Sequence, residues 1–550
     1  MGFLFLGPNL LARDSATKED TGYLDMRLTE LLPQYSIPAS HADLAVFGVT
    51  DDSREVRFGF VFCALPLVSG NAVHFCAQAA ARGAQVVIVP EGTRSEALGL
   101  SEFEKTKVMV LRHPKVQSLY AQLVARFHSG RPSTLVGVTG TNGKSSTVSF
   151  LRDLWTHAGY QARSLGTLGL RSTGMLHTNV EASFTTFDAK STHLITSSLA
   201  PHVSHVALEA SSHGLDQGRL DGLDFEAAVF TNLTPDHLDY HHTMDAYFAA
   251  KLLLFTERLK TSGTAVINAD DERAGTIIQE VKRRGTGLIT FSASGAPSDL
   301  RLLRRSANEE GQTLATSLFG QTFEIQAPVA GTFQGENILA ALGAAVATGV
   351  DIKVAVKGAE GLESVPGRLE RVVTLENGAV VYVDFAHTPD ALRKVLLGVR
   401  PHVRMGSRLH VLFGCGGDRD SSKRPVMGKI ASELADVVLI TDDNPRTESP
   451  AEIRQAILAA APGARDAGER RRAIGAALSD LQGGDILVVA GKGHEDYQIL
   501  PLLNDFGEPL AGSDGKTLTQ KVPFSDAQVV HDLVYARKSS HERKTALTAA

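Results

Sequence analysis

The sequence predicts an α/β protein built from three domains. Apolar runs of four to six residues recur along the chain, and each ends in a polar loop. Helix-length amphipathic stretches separate those runs, as in parallel-sheet architectures. The length, 550 residues, is that of about two to four domains, each large enough to bury a core.

The bulk composition excludes several classes. Apolar content of 43% and charged content of 21% describe an ordinary globular protein. A net charge of −6 argues against general nucleic-acid binding and against stable association with an anionic membrane. Cys63, Cys76 and Cys415 form neither a zinc set nor a disulfide framework and suit a reducing cytoplasm. Residues 1–22 are expected to be a loose leader. Their apolar start lacks the basic segment of a signal peptide, and Leu6 spoils a myristoylation pattern. The longest uncharged stretch, 338–350, is too short to span a bilayer and reads as a buried helix.

Taken in order, residues 23–132 read as a small α/β domain, with strands at 44–49, 60–65 and 85–89 and an Ala-rich helix at 75–82. Ser53 sits in its first polar loop, which on residue type alone is a turn or a binding loop.

A larger α/β domain is expected over 133–365. It opens on an apolar strand, 135–138, that runs into Gly140, Thr141, Asn142, Gly143, Lys144, Ser145 and Ser146. A helix follows, with Val148, Leu151, Leu154 and Ala158 on one face and Gly159 as its stop. Such a loop cradles polyphosphate: backbone N–H groups face the anion, the lysine reaches the outer phosphates and a hydroxyl holds Mg²⁺. The strict glycine signature fails at Val138, where Gly140 supplies the turn instead. Three more strands stop at polar groups: 205–208 at Glu209, 227–230 at a stretch ending in His237, and 265–267 at Asn268. Ligands bind beyond the carboxyl ends of such strands. Alone, His237 reads as a structural histidine and Glu209 as a cap. Together with Ser145, an acid at a neighbouring strand end offers the hard oxygens that Mg²⁺ on ATP requires.

Residues 365–370 read as a hinge, and a third α/β domain is expected over 366–537. Its strands end at loops containing Asp384 and His387, then Arg419, then Asp443, Asn444, Pro445 and Arg446, and last Gly491 and Glu495. The charged tail, 538–550, is expected to be disordered.

At this point the motifs become specific. The loop 140–146 resembles the ATP loop of the Mur ligases, the ATP-dependent amino-acid ligases of peptidoglycan synthesis. EASSHGLDQGR from Glu209 to Arg219, NLTPDHLDYH from Asn232 to His241 and HTPDAL from His387 resemble the MurE branch, which adds the third residue of the stem peptide. So do GGDRD-x-x-KRP from Gly416 to Pro425 and AGKGHEDYQ from Ala490 to Gln498. Asp443-Asn444-Pro445-Arg446 is similar to the signature of the enzymes that add meso-diaminopimelate. The resemblance runs from about 44 to 530.

The resemblance implies an N-terminal UDP-binding α/β domain, a central P-loop ATPase-like parallel-sheet domain and a C-terminal Rossmann-like domain for the amino acid. It implies that ATP phosphorylates the γ-carboxylate of D-glutamate in UDP-N-acetylmuramoyl-L-alanyl-D-glutamate, and that an amine of diaminopimelate attacks the acyl phosphate. Lys144 would lie along the phosphates. Ser145, Glu209 and His237 would hold Mg²⁺, joined by Lys251 in carbamylated form. Asn268, Asp384 and His387 would contact ATP. Ser53, Thr185, Thr186, Ser211, Gln217 and Arg219 would bind the UDP-dipeptide, and Arg419, Asp443, Asn444, Pro445, Arg446, Gly491 and Glu495 the amino acid. The chain departs from the family at Phe187, where proline is common, and at 70–75, where an Asp-Gly pair is common. Small-molecule substrates, a monomer and a cytoplasmic location are expected. The alternatives are a lysine- or ornithine-adding ligase, a folylpolyglutamate synthetase and a non-catalytic nucleotide-binding protein.

Overall fold

The computed structural model describes residues 26–548, apart from 68–69, 174–184, 309, 505–508 and 513–515. The chain divides into two compact units, Met1–Phe291 with Ala340–Ala355 and Ser292–Leu339 with Val356–Ala550. Of the two expected boundaries, the one at 132 falls between two sheets of the first unit. The hinge expected at 365–370 is a tight turn inside the second unit, where Arg368 N donates to Val365 O at 2.9 Å and Gly367 has a φ of +65°.

Besides two small two-stranded ribbons, the first unit contains two main sheets. The smaller is wholly parallel, in the order Gly48–Thr50, Phe60–Cys63, Val86–Pro90, Met109–His113. Val61, Phe62, Cys63, Val87 and Ile88 are fully enclosed, the near-continuous apolar pattern of strands covered on both faces. The expected helix at 75–82 is a 3₁₀ turn, Ala72–Phe75, leading into a helix, Cys76–Ala81. The larger sheet runs in the order Gly169–Arg171, Ala162–Gly166, His205–Glu209, Thr134–Thr139, Phe225–Phe230, Leu259–Asn268, Gly287–Ser292. All neighbours are parallel except the first pair. The carboxyl ends of its central strands therefore point the same way, and the polar loops read from the sequence gather at that edge. Helix Lys144–His157 follows the central strand and buries Val148, Leu151, Leu154 and Trp155. The Trp155 indole N–H donates to Thr348 Oγ1 at 2.9 Å.

The second unit is built on a six-stranded sheet in the order Glu370–Thr374, Val380–Asp384, Ile486–Ala490, Leu409–Phe413, Val437–Thr441, Arg465–Gly468. Only the first pair is antiparallel. Helices Pro389–Val399, Lys423–Leu434 and Pro450–Leu458 supply Leu392, Leu396, Met427, Ile430, Ile453 and Ile457 to one core. Helices Arg470–Asp480 and Asp526–Thr548 supply Ile474, Leu478, Val529 and Val530 to the core on the other face. This is the doubly wound arrangement expected of a Rossmann-like domain. Helix Gln334–Ala347 covers most of the stretch read as a buried helix, and its Ile338, Leu339, Ala341 and Leu342 are inaccessible.

Two further features differ from the sequence reading. Strands Leu300–Ala307, Gln312–Leu318 and Gln321–Ala327 form an antiparallel meander that the sequence did not suggest. Arg301, Arg304 and Arg305 break the apolar run, because only alternate positions of this ribbon face inward. The tail expected to be disordered continues the last helix to Thr548. Its Ala, Lys, Arg and Glu are favourable helix residues, and the buried start at Val529 and Val530 anchors the element. Among the described residues no helix is long and apolar enough to cross a membrane.

A buried ion pair ties that helix to the sheet. Arg470 and Asp526 are both fully enclosed, and Arg470 Nε and Nη2 each donate to the carboxylate at 2.7 Å. Nη2 also donates to Ala490 O at 2.9 Å. Asp526→Ala would strand a guanidinium in the core, so a loss of about 3–5 kcal/mol is expected for the second unit. Denaturant unfolding followed by circular dichroism measures it.

Candidate active site

The phosphate loop is shaped by its neighbour as much as by its own glycines. Gly140 has a φ of +148° and Gly143 one of +88°, and a Cβ at Gly140 would collide with Thr231 Oγ1. The loop after strand Phe225–Phe230 then clamps it. Thr141 N donates to Asn232 O at 2.8 Å, Asn142 N to Asn232 Oδ1 at 3.0 Å, and Thr231 Oγ1 to Asn142 O at 2.7 Å. Asn268 stands one layer behind, its Nδ2 donating to Thr231 O at 2.7 Å. Gly143 leads directly into helix Lys144–His157 with no side-chain cap. The helix N-terminus and its N–H groups thus open onto the loop, the arrangement that attracts phosphate.

Two lysines converge on one carbonyl. Lys144 Nζ and Lys251 Nζ each donate to Gly140 O at 2.9 Å. Lys251 is 1% exposed, and its Nζ lies 4.3 Å from the centre of the Tyr247 ring. It is not the surface lysine of an amphipathic helix. Burial, reinforced by Lys144, holds its amine well below the usual lysine range.

Glu209 ends the strand beside the loop, paired in register with Val138, and is 2% exposed. Thr167 N donates to its Oε1 at 2.9 Å and Thr167 Oγ1 to its Oε2 at 3.2 Å. From Glu209 a continuous set of polar contacts leads outward. Thr167 Oγ1 lies 3.2 Å from Thr185 Oγ1. Thr186 Oγ1 donates to Glu209 O at 2.8 Å and accepts from Ser211 N at 2.9 Å. Ser211 caps helix Ser212–Asp216. Arg219 donates to Thr186 O at 2.8 Å and, through Nη2, to Gln217 Oε1 at 2.6 Å. Ser53 lies on a different loop of this unit and donates to Gln78 Oε1 at 2.7 Å. That loop is tied to the set through an ion pair between Glu55 and Lys190, in the helix that follows Thr186.

His237 has a φ of +54°, one of six non-glycine residues with positive φ among those described. Three of the six, His237, Asp418 and Arg446, fall in the loops picked out from the sequence, where stored backbone strain concentrates at functional positions. The His237 ring meets His213 edge-on at 4.8 Å, and His213 also contacts Tyr240 and His241. Burial lowers the basicity of His237, with Lys144 and Lys251 adding to the effect and Asp236 opposing it. It pushes His213 down to about 4. Both rings are therefore neutral near pH 7, the state in which imidazole binds a metal.

In the second unit, the loops at the carboxyl ends of the strands form a second cluster. A Cβ at Gly491, whose φ is +114°, would press on Asp443 Oδ2. Asn444 Nδ2 donates to Glu495 Oε2 at 3.1 Å. Arg446 Nη1 donates to Gly417 O at 2.7 Å, while its Nε and Nη2 carry no partner among the described residues. Arg419 is exposed, and its Nη1 donates to the Asp418 carbonyl at 3.3 Å. Asp384 accepts from Leu369 N and Ala386 N, both at 2.7 Å, and burial pushes its carboxyl up to about 6. His387 is exposed and faces the carbonyl of Phe385 through Nδ1, at 2.9 Å.

Sequence reasoning missed Thr167, His213, Tyr247 and Lys492. His213 and Lys492 stand inside the quoted motifs. Thr167 gave no signal, because its contact with Glu209 spans 42 residues.

A parallel-sheet domain with a phosphate loop, followed by a doubly wound domain rich in strand-end polar loops, defines a nucleotide-dependent ligase class. Family models agree: the Mur ligase middle domain matches residues 138–345 and the Mur ligase glutamate ligase domain matches 367–493. The chain belongs to the Mur ligase family. Among its relatives is a UDP-N-acetylmuramoyl-L-alanyl-D-glutamate--2,6-diaminopimelate ligase of Brucella melitensis biotype 1, 42% identical over 92% of this chain and 97% of its own. A protein of the same name from Zymomonas mobilis subsp. mobilis is 42% identical over 93% of this chain and 99% of its own. A solved structure of a ligase of that name is 32% identical, with a TM-score of 0.68, and covers 94% of this chain and all of its own.

Thr167→Val keeps the N–H that reaches Glu209 and removes the hydroxyl. A buried carboxylate that loses one charge-assisted bond should cost the first unit about 1.5–3 kcal/mol, with Thr167→Ser restoring most of it. Denaturant titration of the three proteins tests this.

Proposed function

We propose that the chain ligates meso-2,6-diaminopimelate to UDP-N-acetylmuramoyl-L-alanyl-D-glutamate with hydrolysis of ATP to ADP and phosphate, in the cytoplasm, as a step of peptidoglycan synthesis. The observation that carries the reading is the set of polar contacts that runs from Glu209, on the strand beside the phosphate loop, to Arg219. Phosphorylating a carboxylate requires two anions, ATP and the acid, to be held side by side. Here a phosphate loop and a row of hydroxyl, amide and guanidinium groups lie on adjacent strand ends of one sheet.

In this mechanism Gly140, Thr141, Asn142, Gly143 and Ser146 line the triphosphate, with Lys144 swinging from Gly140 O to the outer phosphates. Thr185, Thr186, Ser211, Gln217 and Arg219, with Ser53 from the neighbouring loop, hold the UDP-dipeptide so that its free γ-carboxylate meets the γ-phosphate. Asn268 fixes the Thr231 loop against the phosphate loop, and Asp384 and His387 are assigned to nucleotide contacts. A carboxylate oxygen takes the phosphoryl group and ADP leaves. The amine nitrogen then attacks the acyl carbon, loses a proton and expels phosphate. No covalent nucleophile from the protein is needed.

The donors fit Mg²⁺. Ser145 and Glu209, both buried, would offer hard oxygens to the ion and His237 an imidazole nitrogen; when bound, the ion would supply positive charge for the transferring phosphoryl group. Among the described residues no three His, Cys, Asp or Glu converge as a metal cage, so these residues would hold the ion together with the phosphates of ATP rather than alone. Lys251 matches this need only once modified. Its neutral amine adds to CO₂, forming an N–C bond and releasing a proton, and the resulting carbamate is an anion where an ammonium would repel metal ions.

Amino-acid choice is assigned to Arg419, Asp443, Asn444, Pro445, Arg446, Gly491 and Glu495. Arg446 and Arg419 present donors suited to a bidentate carboxylate. Diaminopimelate has a second carboxylate that lysine lacks, so lysine leaves a guanidinium unpaired and should be disfavoured by roughly 10⁴-fold.

Phosphate release measured with the UDP-dipeptide and a panel of meso-diaminopimelate, L-lysine and L-ornithine tests the assignment. Turnover with diaminopimelate alone is expected, whereas turnover with lysine alone would reject the amino-acid assignment, and silence with all three would favour a binding protein. For Lys251, ¹³C-bicarbonate should give a carbamate resonance that vanishes in Lys251→Ala. That variant should lose activity by at least about 10²-fold, with partial rescue by a small carboxylate.

A further inference from the structure

Lys492 has no role in the assignments above, yet it is the most thoroughly enclosed cation of its loop, with 0% of its side chain exposed. Lysines are almost never fully buried unless paired. Its Nζ donates to Glu495 Oε2 at 3.1 Å and to Asn444 Oδ1 at 3.2 Å. Asn444 Oδ1 also accepts from Ile499 N at 2.9 Å, and Asn444 Nδ2 donates to the same Glu495 oxygen at 3.1 Å. The orientation of the amide is thereby fixed, with its oxygen facing two donors and its nitrogen an acceptor. Glu495 Oε2 is saturated by two donors, while Oε1 has no partner among the described residues and the side chain is 23% exposed.

We infer that Lys492 is a positioning residue for amino-acid selection, locking Glu495 so that only Oε1 is offered to an ammonium group of the incoming amino acid. The inference rests on the reading of this cluster as the diaminopimelate pocket. The ligand carries an ammonium and a carboxylate at the same end. Arg446 and Arg419 suit the carboxylate, and Glu495 suits the ammonium. A glutamate compensated from behind by Lys492 is weakly drawn to those arginines, so cation and anion remain available for opposite groups of the ligand. Without Lys492 the carboxylate gains rotamer freedom and an uncompensated charge, and the pocket can close on itself through its own ion pair.

Steady-state kinetics of Lys492→Met test this. The KM for diaminopimelate should rise about ten- to hundredfold, the loss of a charge-assisted bond. The KM values for ATP and the UDP-dipeptide should stay within about twofold. In a Glu495→Gln background the same substitution should add less than about threefold, because the two act as one unit. A uniform rise in all three KM values, or additive effects in the double variant, would overturn the inference. Where Lys492→Met does not fold, Lys492→Gln carries the same readouts, and a failure of both to fold overturns it in favour of a purely structural lysine. A wild-type enzyme that turns over no diaminopimelate would remove the substrate reading itself, which is distinguishable because it needs no variant.

Discussion

Two amines converge on one carbonyl oxygen, and much of the first unit follows from that constraint. Lys144 and Lys251 each reach Gly140 O at 2.9 Å. Lys144 stands at the mouth of the helix, while Lys251 is sealed beneath the loop among Tyr247, Phe248 and Ala250. Desolvation falls on Lys251 and, with Lys144 beside it, holds its amine well below the usual lysine range. A neutral amine is a nucleophile for CO₂, and a carbamate is an anion. Under the proposed carbamylation, the same electrostatic conflict would be relieved by turning a buried cation into an anion beside a triphosphate. The clamp from Thr231 and Asn232 gives Gly140 O its position, and Asn268 holds that clamp in turn.

The cluster proposed as the amino-acid pocket in the second unit faces a comparable problem. A pocket that takes a zwitterion must keep its own cations and anions from neutralising one another. Asp418 is held by Thr447, whose Oγ1 donates to Oδ1 at 2.6 Å, and Arg424 binds Glu448 at 2.8 Å. These pairs occupy the charges around Arg419 and Arg446 and leave guanidinium edges available. The left-handed backbone at Asp418 and Arg446, φ +52° at each, turns both loops tightly where they pass the glycines at 416 and 417. Gly416 and Gly417 admit the approach, since a Cβ there would meet Arg446 Nη1 or the Pro445 carbonyl.

How much of this was legible in the sequence depended on the range of the interactions. The parallel strands were readable because each is an apolar run of four to six residues ended by a polar loop, a signal contained in a short window. The phosphate loop and its helix were readable for the same reason. The meander at 300–327 was not, because one face of it is polar and its arginines interrupt the apolar run. The burial of Lys251 was not readable either. Its helix, Met244–Leu253, looks amphipathic, and only the fold places the lysine under a loop 111 residues earlier. Thr167 and Lys492 act through contacts with partners that residue type alone does not reveal.

The same energetic reasoning separates a catalyst from a module that only binds nucleotide. Burying an amine at 1% exposure costs stability unless it is paired, and replacing such a group with an apolar residue of similar volume is often stabilising by about 1–4 kcal/mol. A nucleotide-binding loop needs Lys144 and the helix N-terminus but has no use for a second amine on Gly140 O. Glu209 makes the same point: a carboxylate at 2% exposure, held by Thr167 and aimed along the edge where the phosphate loop opens, adds nothing to the affinity of a site for a polyanion and opposes it by charge. Both residues become favourable only when a cation is shared with a phosphoryl group in transit. Their joint presence, Glu209 on the strand end beside the phosphate loop and Lys251 on the helix that reaches Gly140 O, is therefore an argument for chemistry at this loop, independent of any relative.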